Sequence, residues 1–358
     1  MIDFVVIGGG IAGASAAARL APLGQTLLLE RETALGYHAS GRSAALYEAN
    51  YGLESTVALS EASGDFHRNA YGGFLSPRGL MLVGQNHEED AFQTACKSLN
   101  MGQIAPEDAF KMVPILDPDR VGYTAYHAEA YDVDTDREIQ TFAKVARENG
   151  AQVLTGQEVT AIQKQGTGWA VTANGVTHDA RMIFNAAGAW ADVVARMAGI
   201  QPLGFTPLRR SMARIPAPGG LDVADWPMLL GVHEDWYAKP DAGKLLVSPA
   251  EEDPQEPHDA WADDMVLAEG IARYEENVSE PVTRVESTWA GLRTFSPDRN
   301  LVLGPATDDA SFFWVAGQGG YGFQTAPAAS QLVADLVAGR SPELDATTLT
   351  ALSPERYA

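Results

Sequence analysis

The sequence predicts an α/β protein of two domains, in which a parallel sheet covered by helices is interrupted by a mostly antiparallel sheet. Three observations support this prediction. An apolar strand, Phe4–Ile7, leads into a glycine-rich turn and an alanine-rich helix. A second strand–glycine–helix unit lies near the other end, where Phe312–Ala316 precedes Gly317–Gly322. Between them, residues from about 205 to 289 contain short alternating strands and aromatic-rich turns, which are typical of an antiparallel sheet.

The first turn carries the most specific motif. Gly8, Gly10 and Gly13 follow the strand in the spacing G-x-G-x-x-G, and Glu30 stands 20 positions after Gly10. Gly8 permits a tight turn, Gly10 lets the backbone approach a pyrophosphate, and Gly13 lets the helix pack closely on the strand. Glu30 can accept hydrogen bonds from a ribose diol and would repel a 2′-phosphate. The motif therefore predicts a Rossmann-like fold that binds FAD or NAD rather than NADP.

Further elements follow from local signals. The first helix should end near Pro22 and Gly24, and a strand should follow at Thr26–Glu30. A helix is predicted from Thr135 to Asn149, with Asp134 or Thr135 as its N-cap. An antiparallel meander then turns at the hairpin pair Asn174-Gly175.

These elements suggest a division into two domains. Residues 1–75, 134–204 and 289–358 form the discontinuous nucleotide-binding domain, and residues 76–133 and 205–288 form the substrate-binding domain. Within the latter, the acidic, proline-broken segment Glu251–Pro257 predicts either a solvated surface loop or a mobile lid.

The amino-acid composition makes several classes of binding partner unfavourable. The formal charge is −22, from 47 acidic and 25 basic residues, so nucleic acid and anionic membrane surfaces are unfavourable partners. The single cysteine, Cys96, cannot form an internal disulfide, and the seven histidines show no metal-ligand spacing. No signal peptide and no apolar segment of bilayer length is expected. We therefore expect a cytoplasmic protein without a metal site or a membrane span.

Several segments together carry a family resemblance. They are GGGIAGAS at the first turn, GYHASGRSAALYEANYG after the second strand, NAAGAWAD, PLRRS, YAKPDAG, TWAGLRTF and FWVAGQGGYGFQT. With these the chain resembles the D-amino-acid oxidase and glycine oxidase superfamily of FAD-dependent amine oxidoreductases, and within it the bacterial D-arginine dehydrogenases. The resemblance covers nearly the whole chain.

The resemblance implies FAD as cofactor. Non-covalent binding is expected, because Cys96 does not stand where sarcosine-oxidase relatives tether their flavin. The residues implied to hold FAD are Gly8, Gly10, Ile11, Ala12, Gly13, Glu30, Arg31, Ser40, Gly41, Arg42, Ser43, Ala44, Val159, Ala187, Gly188, Trp190, Arg293, Gly317, Gly319, Gly320, Tyr321, Gly322, Phe323 and Gln324.

Two arginines are candidates for anchoring a substrate carboxylate, which a guanidinium fork can bind through two parallel hydrogen bonds. They are Arg293 and Arg210, each with a domain-interface ion pair as the alternative, and Arg209 is the other candidate for the inward side chain. Tyr237 and Tyr51 match tyrosines that face the substrate in the resemblance. Its pocket is further implied to include Leu46, Glu48, Leu80, Gly320 and Tyr321.

The resemblance implies oxidative deamination of D-amino acids. A hydride passes from Cα to flavin N5, and water then converts the imino acid to a 2-oxo acid and ammonia, so no strong general base is required. A glutamate and a histidine of the D-arginine dehydrogenases correspond to Leu80 and Leu46. Because a cationic side chain would be unpaired there, neutral or hydrophobic D-amino acids are expected, unless Glu48 points inward and restores a partner for basic ones.

Other functions stay open at this level. One is oxidation of a secondary amine, such as sarcosine or a cyclic imino acid, or of glycine. Another is a non-catalytic FAD protein, or a subunit that needs a partner. The electron acceptor, whether oxygen, a quinone or another molecule, is also open, with the dehydrogenase slightly favoured over the oxidase.

Overall fold

The computed structural model describes residues 1–358 as twenty strands and nine α-helices, with short 3₁₀ turns between them. The strands are β1 (Ile2–Ile7), β2 (Thr26–Leu29), β3 (Leu46–Tyr47), β4 (Leu75–Pro77), β5 (Leu80–Gln85), β6 (Gly102–Ile104), β7 (Val121–His127), β8 (Tyr131–Val133), β9 (Gln152–Leu154), β10 (Val159–Gln165), β11 (Gly168–Ala173), β12 (Val176–Asn185), β13 (Thr206–Ile215), β14 (Met228–Gly231), β15 (Tyr237–Asp241), β16 (Lys244–Ser248), β17 (Asp253–Pro254), β18 (Ser287–Phe295), β19 (Val302–Pro305) and β20 (Phe312–Ala316). The helices are α1 (Ile11–Leu20), α2 (Glu54–Asn69), α3 (Glu89–Ser98), α4 (Pro106–Met112), α5 (Thr135–Glu148), α6 (Ala191–Met197), α7 (Asp264–Glu275), α8 (Gly322–Ala338) and α9 (Ala346–Leu352).

An eight-stranded sheet forms the predicted Rossmann-like core. Its centre is parallel, with β2 and β12 on either side of β1, β9 beside β2, and β20 beside the end of β12. The meander of β10, β11 and β12 and the final pair of β19 and β20 add antiparallel strands. The two strand–glycine–helix units at opposite ends of the chain, β1–α1 and β20–α8, therefore belong to one sheet.

Both faces of this sheet are buried, which explains the unbroken apolar runs of its strands. Val6 and Leu28 pack with residues of α1, α5 and α8 on one face. Val5 and Leu27, their neighbours in sequence, pack with α6 on the other face. Successive side chains of a strand point to opposite faces, so a single apolar run contributes to two core layers.

A nine-stranded sheet follows the predicted mostly antiparallel architecture. Its order is β17-β13-β16-β15-β14-β5-β7-β6, with β18 along the opposite edge of β13. Only the pair of β14 and β5 is parallel. A third, three-stranded sheet has the order β3-β8-β4, and its strand β3 consists of Leu46 and Tyr47.

Two strands cross the domain boundaries that we expect, β4 (Leu75–Pro77) and β18. β18 pairs with β13 along its whole length, from Ser287 to Phe295, in the nine-stranded sheet, although its residues from 289 onward are predicted to belong to the nucleotide-binding domain. β3, predicted to lie in the nucleotide-binding domain, pairs with β8 of the predicted substrate-binding domain. The division into domains stays a prediction, and these strands connect its two parts.

Local signals predicted most element ends correctly. Helix α5 covers Thr135–Glu148, and of the two candidate caps it is Asp134 whose carboxylate accepts from the N–H of Arg137. Asn174 and Gly175 both have positive φ, at 45° and 77°, as a tight hairpin requires. None of the helices combines the length and the apolar character needed to cross a bilayer.

Candidate functional site

The turn after β1 has room for backbone only. Gly8 has φ +106°, and a Cβ at this position would overlap the carbonyl oxygen of Ala186. A Cβ at Gly13 would likewise overlap the carbonyl oxygen of Gly8, so α1 packs directly on the turn. The first N–H of α1, that of Ile11, donates to the Ser40 hydroxyl over 3.0 Å. The helix N-terminus is thus placed at the edge of a groove, where it can bind phosphate.

Glu30 lies at the end of β2 and is 7% exposed. One carboxylate oxygen accepts from the N–H of Gly9 over 2.6 Å, and the other accepts from the N–H of Glu32 over 2.8 Å. These bonds fix the carboxylate beside the glycine turn. Each oxygen retains a lone pair, so Glu30 can also accept from a ribose hydroxyl.

A groove of about 400 Å³ begins at this turn. Ten of the predicted cofactor residues line it, namely Gly8, Gly10, Glu30, Arg31, Ser40, Arg42, Val159, Ala187, Gly188 and Trp190. The Arg31 guanidinium lies 5.1 Å from the centre of a Trp190 ring, which joins two of these side chains by a cation–π contact.

Arg42 closes one side of the groove rather than offering its charge to it. Its Nη1 donates to the carbonyl oxygens of Ala260 and Ala290, each over 2.9 Å, and its Nη2 contacts Asp259 at 2.5 Å. Ala260 itself lines the groove. The guanidinium therefore ties the segment before α7 to β18 and completes the wall.

A smaller cavity, of about 130 Å³, continues from the groove. Most of the remaining predicted cofactor residues line it, namely Ile11, Ala12, Ser43, Ala44, Arg293, Gly319, Gly320, Gly322, Phe323 and Gln324. The N-termini of α1 and α8 both border this cavity. The two glycine turns that the sequence placed at opposite ends of the chain thus meet at one site.

Three predicted cofactor residues, Gly13, Gly41 and Gly317, line neither space. A Cβ at Gly41 would overlap the carbonyl oxygen of Gly36, and one at Gly317 would lie 3.1 Å from the Phe205 ring. These glycines shape the turns around the groove from behind. Tyr321, the remaining predicted contact, faces a third cavity instead.

This third cavity, which we call the substrate cavity, has a volume of about 770 Å³ and adjoins the smaller one. All nine residues predicted to contact substrate line it: Leu46, Glu48, Tyr51, Leu80, Arg210, Tyr237, Arg293, Gly320 and Tyr321. They come from β3, β5, β13, β15, β18 and the loops before α2 and α8. Five of them, including Arg293 and Gly320, border the smaller cavity as well.

Arg293 is the guanidinium of this cavity that has no partner. It forms neither a hydrogen bond nor an ion pair within the protein, and its side chain is partly exposed to the cavity. A Cβ on Gly320 would lie 2.9 Å from its Nη1, so the glycine lets the guanidinium lie flat against the backbone. A fork with free donors, held against backbone, suits a planar carboxylate.

Arg210, and not Arg209, points into the cavity. Arg209 pairs with Asp253 at 2.7 Å on the other side of β13. Arg210 donates from Nε to the carbonyl oxygen of Glu251 over 3.0 Å, and its Nη2 lies 3.4 Å from the Glu252 carboxylate. Burial lowers the pKa of Arg210, and the nearby charge of Arg293 lowers it further.

The three tyrosines differ in their hydroxyl partners. Tyr51 donates to Glu234 over 2.9 Å and packs against the Tyr321 ring at 5.5 Å between centres. Burial raises the pKa of both Tyr51 and Tyr321, so both stay protonated at neutral pH. The Tyr237 hydroxyl contacts only the Met212 sulfur, at 3.3 Å, which is a weak acceptor. The Tyr321 hydroxyl has no hydrogen-bond partner within the protein, so Tyr237 and Tyr321 both have a strong hydrogen bond still to give.

Glu48 borders the cavity but is already engaged. It is 3% exposed, accepts from the N–H and the side chain of Asn50, and lies 2.5 Å from His127 Nε2. The hydrogen bond to Glu48 raises the pKa of His127, against the effect of burial. Leu46 and Leu80, by contrast, present apolar surface nearby. Glu48, the acid that would favour basic substrates if it faced them, is thus already paired with His127.

Sequence reasoning missed three charged residues at the site. Glu252 and Arg299 line the substrate cavity and form a two-pronged ion pair of 2.8 and 3.0 Å. Lys239 is buried beneath the loop at Ala44 and Ala45, donates to both carbonyl oxygens, and pairs with Asp132 at 2.8 Å. The acidic run that contains Glu252 was visible in the sequence, but the partners lie 47 positions apart in the chain.

Comparisons with known proteins agree with this geometry. A family described as "FAD dependent oxidoreductase" matches residues 3–336, which is nearly the whole chain. The chain therefore belongs to this family of FAD-dependent oxidoreductases, and the cofactor predicted from the sequence is confirmed. The glycine turn and Glu30 fit a dinucleotide, because Gly8 and Gly13 let α1 pack directly on the turn, which places the helix N-terminus and the Glu30 carboxylate at the same groove.

Three curated relatives show the range of similarity. Hydrogen cyanide synthase subunit HcnC of Pseudomonas aeruginosa is 27% identical over 60% of this chain and 51% of its own length. Human mitochondrial dimethylglycine dehydrogenase is 25% identical over 99% of this chain and 44% of its own. Glycine oxidase of Bacillus licheniformis is 22% identical over 94% and 93%. The chain thus spans about half the length of the first two relatives.

Solved structures show the same fold. FAD-bound L-α-glycerophosphate oxidase from Mycoplasma pneumoniae has a TM-score of 0.82 with 20% identity and covers 94% of both chains. L-Proline dehydrogenase from P. horikoshii has a TM-score of 0.81 with 23% identity over 95% of this chain and 94% of its own. The predicted fold class is confirmed by these likenesses.

Proposed function

We propose that this protein oxidises an amino acid at the bond between its α-carbon and its amine nitrogen, giving an imino acid that water converts to a 2-oxo acid and ammonia. The observation that carries the proposal is Arg293. It is an unpaired guanidinium in a cavity that adjoins the cofactor groove, and an α-carboxylate is the partner that its free fork would bind. Bound FAD would supply the hydride acceptor.

The residues of the cavity have separate roles in this proposal. Arg293 would hold the carboxylate and so orient the α-carbon toward the smaller cavity that Gly320 also borders. Tyr237 would donate a second hydrogen bond to the carboxylate, because Met212 is a poor acceptor. Tyr51 and Tyr321 would form the aromatic wall that excludes water, and their raised pKa values argue against a role as bases.

We propose D-amino acids with neutral, apolar side chains as the substrates. Leu46, Leu80, Leu99, Met228 and Leu230 belong to one apolar cluster and give one part of the cavity an apolar lining. A volume of about 770 Å³ exceeds what a side chain of one or two carbons fills. The pairing of Glu48 with His127 supports neutral rather than basic side chains. The preference for the D-form rests on the family resemblance alone.

Secondary amines are the second candidate. The human relative named dimethylglycine dehydrogenase matches 99% of this chain, and a structural neighbour is named L-proline dehydrogenase. An N-substituted glycine carries the same carboxylate for Arg293 and also fits the cavity. The relative named as a subunit of hydrogen cyanide synthase adds a third outcome, a protein that needs a partner chain.

The test is anaerobic addition of single compounds to the purified holoprotein, followed by the loss of flavin absorbance. D-Leucine, D-methionine, D-arginine, L-leucine and sarcosine form the set. We expect D-leucine and D-methionine to bleach the flavin, and L-leucine to leave it oxidised. Bleaching by sarcosine alone would favour secondary amines instead. A flavin that every compound leaves oxidised would contradict both proposals and favour a missing partner.

The same sample can identify the electron acceptor. After anaerobic reduction by the best substrate, air and a soluble quinone are admitted separately. Rapid return of the flavin absorbance in air would indicate an oxidase. Return with the quinone only would indicate a dehydrogenase, which we propose.

A further inference from the structure

Glu252 lies in the substrate cavity between two arginines. Its two carboxylate oxygens accept from Arg299 over 2.8 and 3.0 Å, and one of them lies 3.4 Å from Arg210 Nη2. All three side chains line the cavity. A carboxylate of the protein therefore occupies a position that two guanidinium groups offer to an anion.

We infer that Arg210 and Arg299 form a second carboxylate site, which Glu252 fills, and that Glu252 thereby restricts the cavity to amine substrates with a single carboxylate. This inference rests on the proposed function, in which Arg293 takes the first carboxylate. The cavity then contains two sites that can bind an anion. The one at Arg293 is open to substrate, and the one between Arg210 and Arg299 is occupied by the protein.

The occupied position is held firmly in place. Arg299 lies over the Phe295 ring at 3.8 Å, so its guanidinium has a contact that does not depend on Glu252. Arg210 is tied by its bond to the carbonyl oxygen of Glu251. On the other side of Glu252, Asp253 pairs with Arg209 at 2.7 Å and anchors β17 to β13. Removing the Glu252 carboxylate should therefore leave both arginines where they are.

The electrostatics agree with this geometry. Burial acts to raise the pKa of Glu252, but the hydrogen bonds and charge of Arg299, with the charges of Arg210 and Arg293, outweigh it and lower that pKa. The hydrogen bond to Glu252 raises the pKa of Arg299. Glu252 is thus ionised throughout the neutral range. A second substrate carboxylate would have to displace Glu252 from its bonds to Arg299 and from its place beside Arg210.

Another carboxylate of the cavity provides a control. Glu269, on α7, also lines it and is exposed as Glu252 is, but it pairs with no arginine. Glu269→Gln removes the same unit of charge from the same cavity without opening an arginine site. Any effect of net charge alone should therefore appear in this variant to the same degree as in a variant of Glu252.

The experiment compares pentanoate with glutarate, which have five carbons and one or two carboxylates. Neither contains an amine to oxidise, so their dissociation constants can be measured from the change they cause in the flavin spectrum of the holoprotein. Wild type, Glu252→Ala, Glu252→Gln and Glu269→Gln are titrated with each. The quantity of interest is the ratio of the glutarate constant to the pentanoate constant.

We expect Glu252→Ala to lower this ratio about tenfold or more, the scale of one hydrogen bond to a charged group. Glu252→Gln should lower it less, because the amide still fills the space, and Glu269→Gln should change it less than twofold. In Glu252→Ala, the rate at which D-glutamate reduces the flavin should rise relative to the rate with D-leucine. An unchanged ratio in Glu252→Ala, or an equal change in Glu269→Gln, would overturn the inference.

The outcome is distinguishable from failure of the proposed function. That failure would appear as a wild-type flavin that no amino acid reduces, whereas the binding ratio needs no reaction. Circular dichroism and the bound-flavin spectrum of each variant establish that it is folded. Glu252→Gln, which keeps the volume of the side chain, provides a second variant if Glu252→Ala does not fold.

Discussion

The cofactor groove and the substrate cavity adjoin each other, but the first is formed mainly by backbone and the second mainly by side chains. The groove is shaped by backbone, with glycines that admit no Cβ and polar groups that are bonded to the protein itself, as Glu30 and Arg42 are. The substrate cavity is lined by long charged and aromatic side chains, and its Arg293 has no partner. Substitutions at the glycines of the groove would therefore disturb its backbone, whereas a single substitution in the substrate cavity changes one lining side chain.

The difference has a physical reason. A dinucleotide has a fixed shape and presents phosphates that backbone N–H groups can bind, so the groove gains from close approach and loses from any added atom. The amine substrates that we propose share a carboxylate but differ in their side chains. One fixed guanidinium and replaceable wall residues such as Leu80 meet that requirement.

The largest effect should come from Gly8→Ala, which tests whether the groove depends on backbone shape. An alanine at φ +106° costs about 1–2 kcal/mol, and its Cβ would also overlap the carbonyl oxygen of Ala186. We expect the purified protein to lose its FAD, with an affinity at least about a hundredfold weaker. Flavin absorbance per protein and titration of the apoprotein with FAD measure this.

Gly150→Ala is the matched control for that variant. Gly150 also has positive φ, at +88°, but it has open space around its Cβ position and lies after α5, outside the groove. It should cost stability and leave FAD affinity within about twofold. Equal loss of FAD in both variants would mean that backbone strain, and not the shape of the groove, is responsible.

The next effect should come from Arg293→Met, which tests whether the cavity depends on one unpaired charge. Loss of its hydrogen bonds to a carboxylate should cost about 1.5–3 kcal/mol or more, which is a ten- to hundredfold fall in kcat/KM. Pentanoate binding should weaken in parallel, while FAD stays bound. Arg214→Met is the control, because Arg214 lies on the same β13 as Arg210 but pairs with Asp241 outside the cavity. If Arg293→Met still bound pentanoate normally, another group would hold the carboxylate.

The smallest effect concerns a buried pair behind the junction of the two regions. His67 and Glu138 are both fully buried, 3.9 Å apart, and His67 Nε2 lies 3.3 Å from the carbonyl oxygen of Gln324, which lines both cavities. Burial raises the pKa of Glu138 well above its ordinary value of 4.5 and lowers that of His67 to about 4. Burial therefore disfavours the charged form of both side chains.

The two residues make stability depend on pH in opposite directions. The folded protein holds the Glu138 proton that the unfolded chain releases above pH 4.5, so this contribution to stability is lost as pH rises. Neutral His67 favours the folded state at high pH, and this contribution is lost as pH falls from 6.5 toward 4.

Glu138→Gln should therefore gain on wild type in free energy of unfolding as pH rises from 5 to 8, by at most about 1.4 kcal/mol per pH unit. Urea unfolding at several pH values measures this. Glu148→Gln, on the exposed end of the same helix, should show no such trend. FAD affinity and substrate oxidation should stay near wild type, since neither side chain lines a cavity. A flat pH dependence in Glu138→Gln minus wild type would show that Glu138 is ionised in the folded protein.

Much of the groove could be predicted because its signals are local. Gly8, Gly10 and Glu30 act within one strand–helix–strand unit, where the turn requires glycine and the ribose requires a carboxylate. The same holds for the Asp134 cap and the Asn174-Gly175 hairpin. The β1 and β20 turns meet at one site because both strands lie in one sheet, and ligands bind at the carboxyl ends of its parallel strands.

The sequence by itself determined the fold class and the cofactor, since each depends on motifs of a few neighbouring residues, and its family resemblance supplied the nine residues that line the substrate cavity. Only the tertiary structure decided which charges stay free. It pairs Arg209 with Asp253, Glu48 with His127, and Glu252 with Arg299, and it leaves Arg293 open. Ion pairs form between side chains that are distant in the chain, and a charge is available to a substrate only when folding has given it no other partner.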